Sequence, residues 1–280
     1  MIEAPEPPAS FGVLFDIDDT LVDFSGAARS ALFDVARVFG NRAGHDAQEA
    51  RARVLQSWEL VSEREYGRFL AGAVDFDGMR VARMVALLAE MDPAGRAGLD
   101  PEALELQRNE SIFRHYRQYE DVRACLDRLS AAGVPVGVVS NSDGEYQRRK
   151  LAVAGLEGLA GAAVFSGDIG FSKPDPRIFR AGAALLDLAP ERVVYVGDRW
   201  VTDAIGALSA GMAAVWVNRA GLTRPDAAAE QLGALPGAAT RLAELPGLGR
   251  LEADLVARLV AGEGPAEGRL ARIGPGAVGL

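Results

Sequence analysis

Acidic, hydroxyl and lysine side chains occur in four short motifs, and each motif follows an apolar run. The motifs are DIDDT from Asp16, SNS from Ser140, SKPDP from Ser172 and GDRWVTD from Gly197. Side chains alternate along a β-strand, so Asp16 and Asp18 project to one side while Asp19 points away. Two carboxylates this close repel each other unless a proton or a cation lies between them. The first motif therefore indicates either a site for cation or proton chemistry or an ordinary acidic turn.

The other three motifs also have ordinary structural explanations. Ser140 and Asn141 are typical of a turn or a helix N-cap, and a lysine such as Lys173 is usually solvated. Asp203 is typical of a first helical turn, where it favours the helix dipole. Lys173 is a stronger candidate for a functional role because only two of the 30 basic residues are lysines, the other being Lys150.

The apolar runs alternate with helix-like segments, which is typical of an α/β protein with a parallel sheet. We predict strands at 12–17, 134–139, 162–165, 193–196 and 213–217, and helices at 121–131, 144–154, 174–187 and 202–210. A further short element and a helix are expected within 241–249 and 250–261. Ligands of open parallel sheets bind beyond the carboxyl ends of the strands, where all four motifs lie. Their side chains are therefore expected to converge, and oxygen donors favour a hard cation such as Mg²⁺ beside a phosphate.

About a hundred residues between the first two strands carry no strand pattern. Helical patterns occur there at 27–39, 47–70, 79–91 and 101–116. We predict an α/β core at 1–24 and 119–261, an inserted helical domain at 25–118 and a flexible tail at 262–280.

The four motifs, in this order and with a helical insertion after the first, resemble the haloacid dehalogenase superfamily, particularly its phosphatase branch. The resemblance spans about 11–248. It implies a Rossmann-like parallel sheet with helices on both faces, an inserted α-helical cap domain, and phosphoryl transfer through an aspartyl-phosphate.

The resemblance also implies roles for eight matching positions. Asp16 matches the nucleophile and Asp18 the general acid and base. The phosphate-binding positions that it implies are Thr20, which orients the first loop, Ser140 with the backbone N–H of Asn141, and Lys173. The implied Mg²⁺ ligands are Asp16, the Asp18 carbonyl, Asp198 and, directly or through water, Asp203.

These residues predict a Mg²⁺-dependent phosphomonoester hydrolase acting on a small phosphorylated metabolite. A 2-haloacid dehalogenase is an alternative, although halide displacement needs neither Asp18 nor Asp198. A sugar phosphomutase shares all core motifs, and a catalytically silent binding or scaffold protein is the non-enzymatic alternative. A receiver domain would be about 120 residues long without an insertion, and the chain has no G-x-x-x-x-G-K-[ST] motif of a nucleotide-dependent kinase.

The composition disfavours several further kinds of chemistry and partner. One cysteine, Cys125, and two distant histidines, His45 and His115, disfavour disulfide, zinc and imidazole-based chemistry. The net charge of −9 disfavours nucleic acid and anionic lipid as partners. Residues 1–10 do not have the pattern of a secretory signal, and no apolar stretch has the length of a spanning helix. We therefore expect a cytoplasmic enzyme that is a monomer or a homodimer.

Overall fold

The computed structural model describes residues 10–43, 46–70, 73–95 and 98–265. The chain forms two compact units, which we call the helical unit, Phe24–Arg117, and the α/β unit, which comprises the chain up to Asp23 and from Gln118. The inserted domain expected at 25–118 stays a prediction, because a division into compact units does not test whether a segment folds independently. Most of the expected tail, from 266 onward, lies outside the described residues.

The described residues of the helical unit form four helices. They are α1 (Phe24–Ala43), α2 (Ala47–Leu70), α3 (Phe76–Met91) and α4 (Pro101–His115). The carboxylates of Asp75 and Asp100 accept hydrogen bonds from backbone N–H groups at the starts of α3 and α4, and Pro101 opens α4. A buried apolar core that includes Phe39, Met84 and Leu87 joins these helices.

In the described part of the α/β unit, six parallel strands form a sheet in the spatial order β3-β2-β1-β4-β5-β6. Their bounds are β1 (Gly12–Phe15), β2 (Val136–Ser140), β3 (Ala163–Phe165), β4 (Val193–Gly197), β5 (Ala213–Val217) and β6 (Leu242–Leu245). The predicted parallel α/β sheet is confirmed. β1 ends two residues earlier than expected, so Asp16 is the first residue beyond the strand.

Helices cover both faces of this sheet. They are α5 (Val122–Ala131), α6 (Gly144–Val153), α7 (Ser166–Ile169), α8 (Pro176–Leu185), α9 (Gly206–Ser209), α10 (Ala228–Gly233) and α11 (Ala253–Ala261). Leu14, Val139 and Tyr195 share one core with α8. Strand alternation turns the intervening residues to the opposite face, where α5 and α11 contact β2, β4 and β5. In the described part of the chain, no helix combines the length and apolar character needed to cross a membrane.

A glycine allows α8 to approach the sheet closely. A Cβ atom at Gly182 would lie 2.7 Å from both Leu14 Cδ1 and Val139 Cγ2. These atoms belong to buried side chains of the neighbouring strands β1 and β2, so they have little room to move.

We expect Gly182→Ala to lower the free energy of unfolding by about 1–3 kcal/mol, because overpacking outweighs the gain in helix propensity. Gly233→Ala is the matched control, since Gly233 is also helical but a Cβ there meets nothing within 4 Å. Urea unfolding of both variants measures the difference. Equal stabilities of the two variants would contradict this account of the packing.

Candidate active site

The register of the two central strands places the first and fourth motifs side by side. Phe15 in β1 pairs with Val196 in β4, and the Asp16 N–H donates to the Val196 carbonyl at 2.8 Å. Both strands end within the next residue. Because the strands are parallel, Asp16 and Asp198 emerge at the same edge of the sheet.

Asp16, Asp198 and Asp203 form an acidic triad at this edge. Each offers a carboxylate oxygen within 4.8 Å of the others, and Asp16 and Asp203 are buried. Burial raises the pKa of Asp16 to about 7 and that of Asp198 to about 8, and repulsion from neighbouring carboxylates adds to both shifts. Crowded carboxylate oxygens of this kind are the donor set that a hard divalent cation prefers.

Lys173 connects two members of the acidic triad. Its Nζ donates to Asp16 Oδ1 at 2.6 Å, to Asp203 Oδ1 at 2.7 Å and to the Tyr195 hydroxyl at 2.8 Å. Burial disfavours the ammonium ion, but Asp16 and Asp203 outweigh this and hold the Lys173 pKa well above its usual value. Lys173 is therefore a charged group inside the protein and offsets part of the negative charge of the triad.

Tyr195 is a site residue that the sequence analysis did not single out. It lies inside β4, and its hydroxyl donates to the Val139 carbonyl at 2.8 Å while accepting from Lys173. The one signal in the sequence is a phenol within an otherwise apolar strand. A buried hydroxyl of this kind requires a hydrogen-bond partner.

The Asn141 side chain holds the third motif in place. Its Nδ2 donates to the Lys173 carbonyl at 2.8 Å, and its Oδ1 accepts from the Lys173 N–H at 2.6 Å. The end of β2 is thereby fixed to the loop that carries Lys173. The resemblance implied a role for the Asn141 backbone, whereas this pair of bonds is made by its side chain.

The turn after β4 explains how Asp203 reaches the site. The predicted helix at 202–210 begins earlier, as a wider π-helical segment from Trp200 to Ile205 that continues into α9. Asp203 Oδ2 accepts the Arg199 N–H at 2.8 Å. A Cβ atom at Gly197 would lie 2.5 Å from Asp203 Cγ, so glycine is needed for the carboxylate to fold back over the strand end. π-Helical turns are frequent at functional sites.

Asp18 belongs to a second cluster, on which Lys150 and Gln147 converge from α6. Lys150 Nζ lies 2.9 and 2.7 Å from the two Asp18 carboxylate oxygens. Gln147 Nε2 lies 3.2 Å from Asp18 Oδ2 and 3.0 Å from Ser140 Oγ. The sequence analysis assigned no role to Lys150 or Gln147, although the scarcity of lysine was a signal for the former.

Thr20 is fully buried at the end of the first motif. Among the described residues, its Oγ1 has no hydrogen-bond partner. Its carbonyl accepts from Arg219 Nη2 at 2.9 Å, and the same guanidinium binds both Asp121 carboxylate oxygens at 2.9 and 3.0 Å. Arg219, which follows β5, thus fixes the backbone of the first motif, a contact that the sequence analysis missed.

Comparison with known proteins agrees with this geometry. The chain matches the family model of haloacid dehalogenase-like hydrolases over residues 12–211. It is 30% identical to a phosphoserine phosphatase from Thermus thermophilus, over 74% of this chain and 88% of the relative. It is 33% identical to a glyceraldehyde 3-phosphate phosphatase from Methanopyrus kandleri, over 74% and 83%.

A solved structure is similar over nearly the whole chain. A haloacid dehalogenase family hydrolase from Deinococcus radiodurans, with bound phosphate and sodium, is 28% identical with a TM-score of 0.56, and the match covers 92% of this chain and all of that one. The family match over residues 12–211 contains the four motifs, the strands from β1 to β4 and the acidic triad. With its relatives named as phosphatases, the chain belongs to the haloacid dehalogenase-like hydrolases and is a hydrolase of the phosphatase type.

Proposed function

We propose that this protein hydrolyses a small phosphomonoester with Mg²⁺, through an aspartyl-phosphate on Asp16. The observation that carries the proposal is the position of Asp16, bound to Lys173 and within 4.8 Å of the Asp198 and Asp203 carboxylates. A nucleophilic carboxylate must lie beside positive charge when it attacks a phosphate dianion. Lys173 supplies one such charge, and the acidic triad is suited to bind another.

The proposed reaction has two steps. In the first, an Asp16 oxygen forms a bond to phosphorus while the bond from phosphorus to the ester oxygen breaks, and Asp18 gives its proton to the leaving oxygen. In the second, Asp18 takes a proton from water, whose oxygen attacks phosphorus and releases inorganic phosphate and the Asp16 carboxylate. Both residues return to their initial states.

The phosphate-binding groups in this proposal are Lys173, the Ser140 hydroxyl and the Asn141 backbone N–H, with Thr20 orienting the first loop. Ser140 lies at the end of β2 beside the Asp18 cluster, and Lys173 lies beside Asp16. Hydroxyl, amide and ammonium donors together match the acceptor oxygens of a phosphoryl group.

The cation in this proposal is Mg²⁺, held by Asp16, the Asp18 carbonyl and Asp198, with Asp203 binding directly or through water. Oxygen donors of this kind fit Mg²⁺, and no imidazole or thiolate belongs to the triad. When bound, Mg²⁺ would supply positive charge that stabilises the transferring phosphoryl oxygens.

A phosphorylated metabolite is the proposed substrate class. The named relatives act on phosphoserine, glyceraldehyde 3-phosphate and, in the rat protein at 29% identity, N-acylneuraminate 9-phosphate. These three molecules share a phosphomonoester and differ in the rest of the structure. The four core motifs therefore support hydrolysis of a phosphomonoester. The rest of the substrate, which becomes the leaving group, is to be identified with a panel of phosphate esters.

We expect Asp16→Asn to lower phosphate release from the best ester of such a panel by on the order of 10³-fold or more, because an amide is a poor nucleophile. EDTA should abolish turnover and Mg²⁺ should restore it. Asp127→Asn, on the exposed face of α5, is the control for loss of one carboxylate. Turnover that survives EDTA or Asp16→Asn would refute the mechanism. Halide release from a 2-haloacid without metal would instead favour a dehalogenase.

We also expect Mg²⁺ to stabilise the fold more at pH 8 than at pH 5. The folded-state pKa of Asp198, about 8, lies above its ordinary value of 3.8, so its protonated form favours folding and this contribution is lost as pH rises towards 8. Without metal, wild type should therefore lose stability relative to Asp198→Asn over this range. Mg²⁺ competes with the protons and should reverse the loss.

Urea unfolding with EDTA or with Mg²⁺, at both pH values, measures these differences. The Asp198→Asn variant should gain little from Mg²⁺ at either pH. An equal Mg²⁺ effect at pH 5 and pH 8, or a full effect in Asp198→Asn, would contradict the assignment of Asp198 as a ligand.

A further inference from the structure

We propose that Lys150 is a positioning residue, which together with Gln147 fixes the Asp18 carboxylate in the orientation from which it exchanges protons during hydrolysis. The inference rests on the proposed function, because it assigns to Lys150 an effect on the acid and base step. It adds two residues of α6 to a site otherwise formed by β4, the strand ends and the segments that follow them.

The burial of Lys150 is the first observation behind this inference. A lysine in the last turn of a helix ordinarily extends its ammonium into water. The Lys150 side chain is instead 2% exposed, whereas the adjacent Arg149 is exposed. Burying an ammonium ion is costly unless a charged partner compensates for the lost hydration, and Asp18 is that partner. The compensating partner of this buried lysine is thus the residue that the proposed mechanism uses for proton transfer.

The geometry of the contact restricts Asp18 more than a single ion pair would. Lys150 Nζ bridges both carboxylate oxygens, at 2.9 and 2.7 Å. Gln147, three residues earlier on the same face of α6, donates to Asp18 Oδ2 and to Ser140 Oγ. The proposed acid and base is thereby connected to the proposed phosphate-binding hydroxyl. Rotation of the Asp18 carboxylate would break these bonds.

Charge supplies the third argument. Asp16 and Asp18 are two residues apart, so their negative charges repel each other. Each of these carboxylates has its own buried lysine, Lys173 for Asp16 and Lys150 for Asp18. Each carboxylate is therefore held by a different cation, and each keeps a separate orientation. That separation is what different roles, nucleophile and proton carrier, require.

The test compares two leaving groups in Lys150→Met. An alkoxide needs a proton to leave, whereas p-nitrophenolate leaves without one. We expect kcat for the alkyl phosphate that wild type hydrolyses fastest to fall on the order of 10²-fold with little change in KM. The initial burst of p-nitrophenol from p-nitrophenyl phosphate should slow by less than roughly tenfold.

Two controls separate positioning from general damage. Arg149→Met removes the neighbouring exposed cation and should behave as wild type. If Lys150 acts through Asp18, the losses must be non-additive, so Asp18→Asn/Lys150→Met should match Asp18→Asn in steady-state turnover of p-nitrophenyl phosphate. The double variant leaves neither charge unpaired, so it also provides the comparison if Lys150→Met alone fails to fold. Lys150→Arg, which keeps the cation, should recover part of the alkyl phosphate activity.

Equal losses for both esters, a loss confined to KM, or a further loss on adding Lys150→Met to Asp18→Asn would overturn the positioning role. Wild-type behaviour of Lys150→Met would overturn it as well, while leaving the proposed function intact. If wild type with Mg²⁺ hydrolyses no phosphate ester, the proposed function fails, and the role of Lys150 fails with it.

Discussion

The site depends on one buried ammonium ion. Lys173 donates to a carboxylate that follows β1, a carboxylate of the π-helical segment and a hydroxyl of β4, and its backbone is bound by the residue after β2. The Asp16 and Asp203 carboxylates could not both stay charged this close together in a low-dielectric interior without the positive charge between them. The sheet order, the early end of β1 and the close approach at Gly197 together bring these groups within reach of that ion.

Both lysines of the chain lie at this site, and arginine supplies the basic side chains elsewhere. The difference is chemical. An ammonium ion is a compact point charge with three donors, which suits three acceptors around Lys173 and the two oxygens that Lys150 bridges. A planar guanidinium is larger, and the chain uses it where a flat bidentate contact serves, as Arg219 does with Asp121.

The sequence predicted the parallel sheet and the four motifs at its edge because apolar runs and strand-end motifs are local patterns. It did not predict Tyr195, Gln147 or Lys150 as site residues. Their contacts depend on which way α6 faces and on the register of β4 against β1, and neither is encoded in a short segment. The π-helical start at Trp200 was missed for a related reason, since a wider turn carries no distinct residue pattern. The roles of the eight motif residues stay predictions until the variants are measured.

The position of β1 in the sheet also bears on how the chain folds. Of the strands in the described residues β1 is made first, yet it lies between β2 and β4, and Gly12 pairs with Val193 about 180 residues later. At ordinary translation rates, roughly 10 to 40 s pass before that partner leaves the ribosome. Until then one edge of an apolar strand is unpaired, and the Asp16 carboxylate at its end has no site around it. The strand that precedes Asp16 is therefore made early and completed late, and its unpaired edge is open to wrong pairing during synthesis.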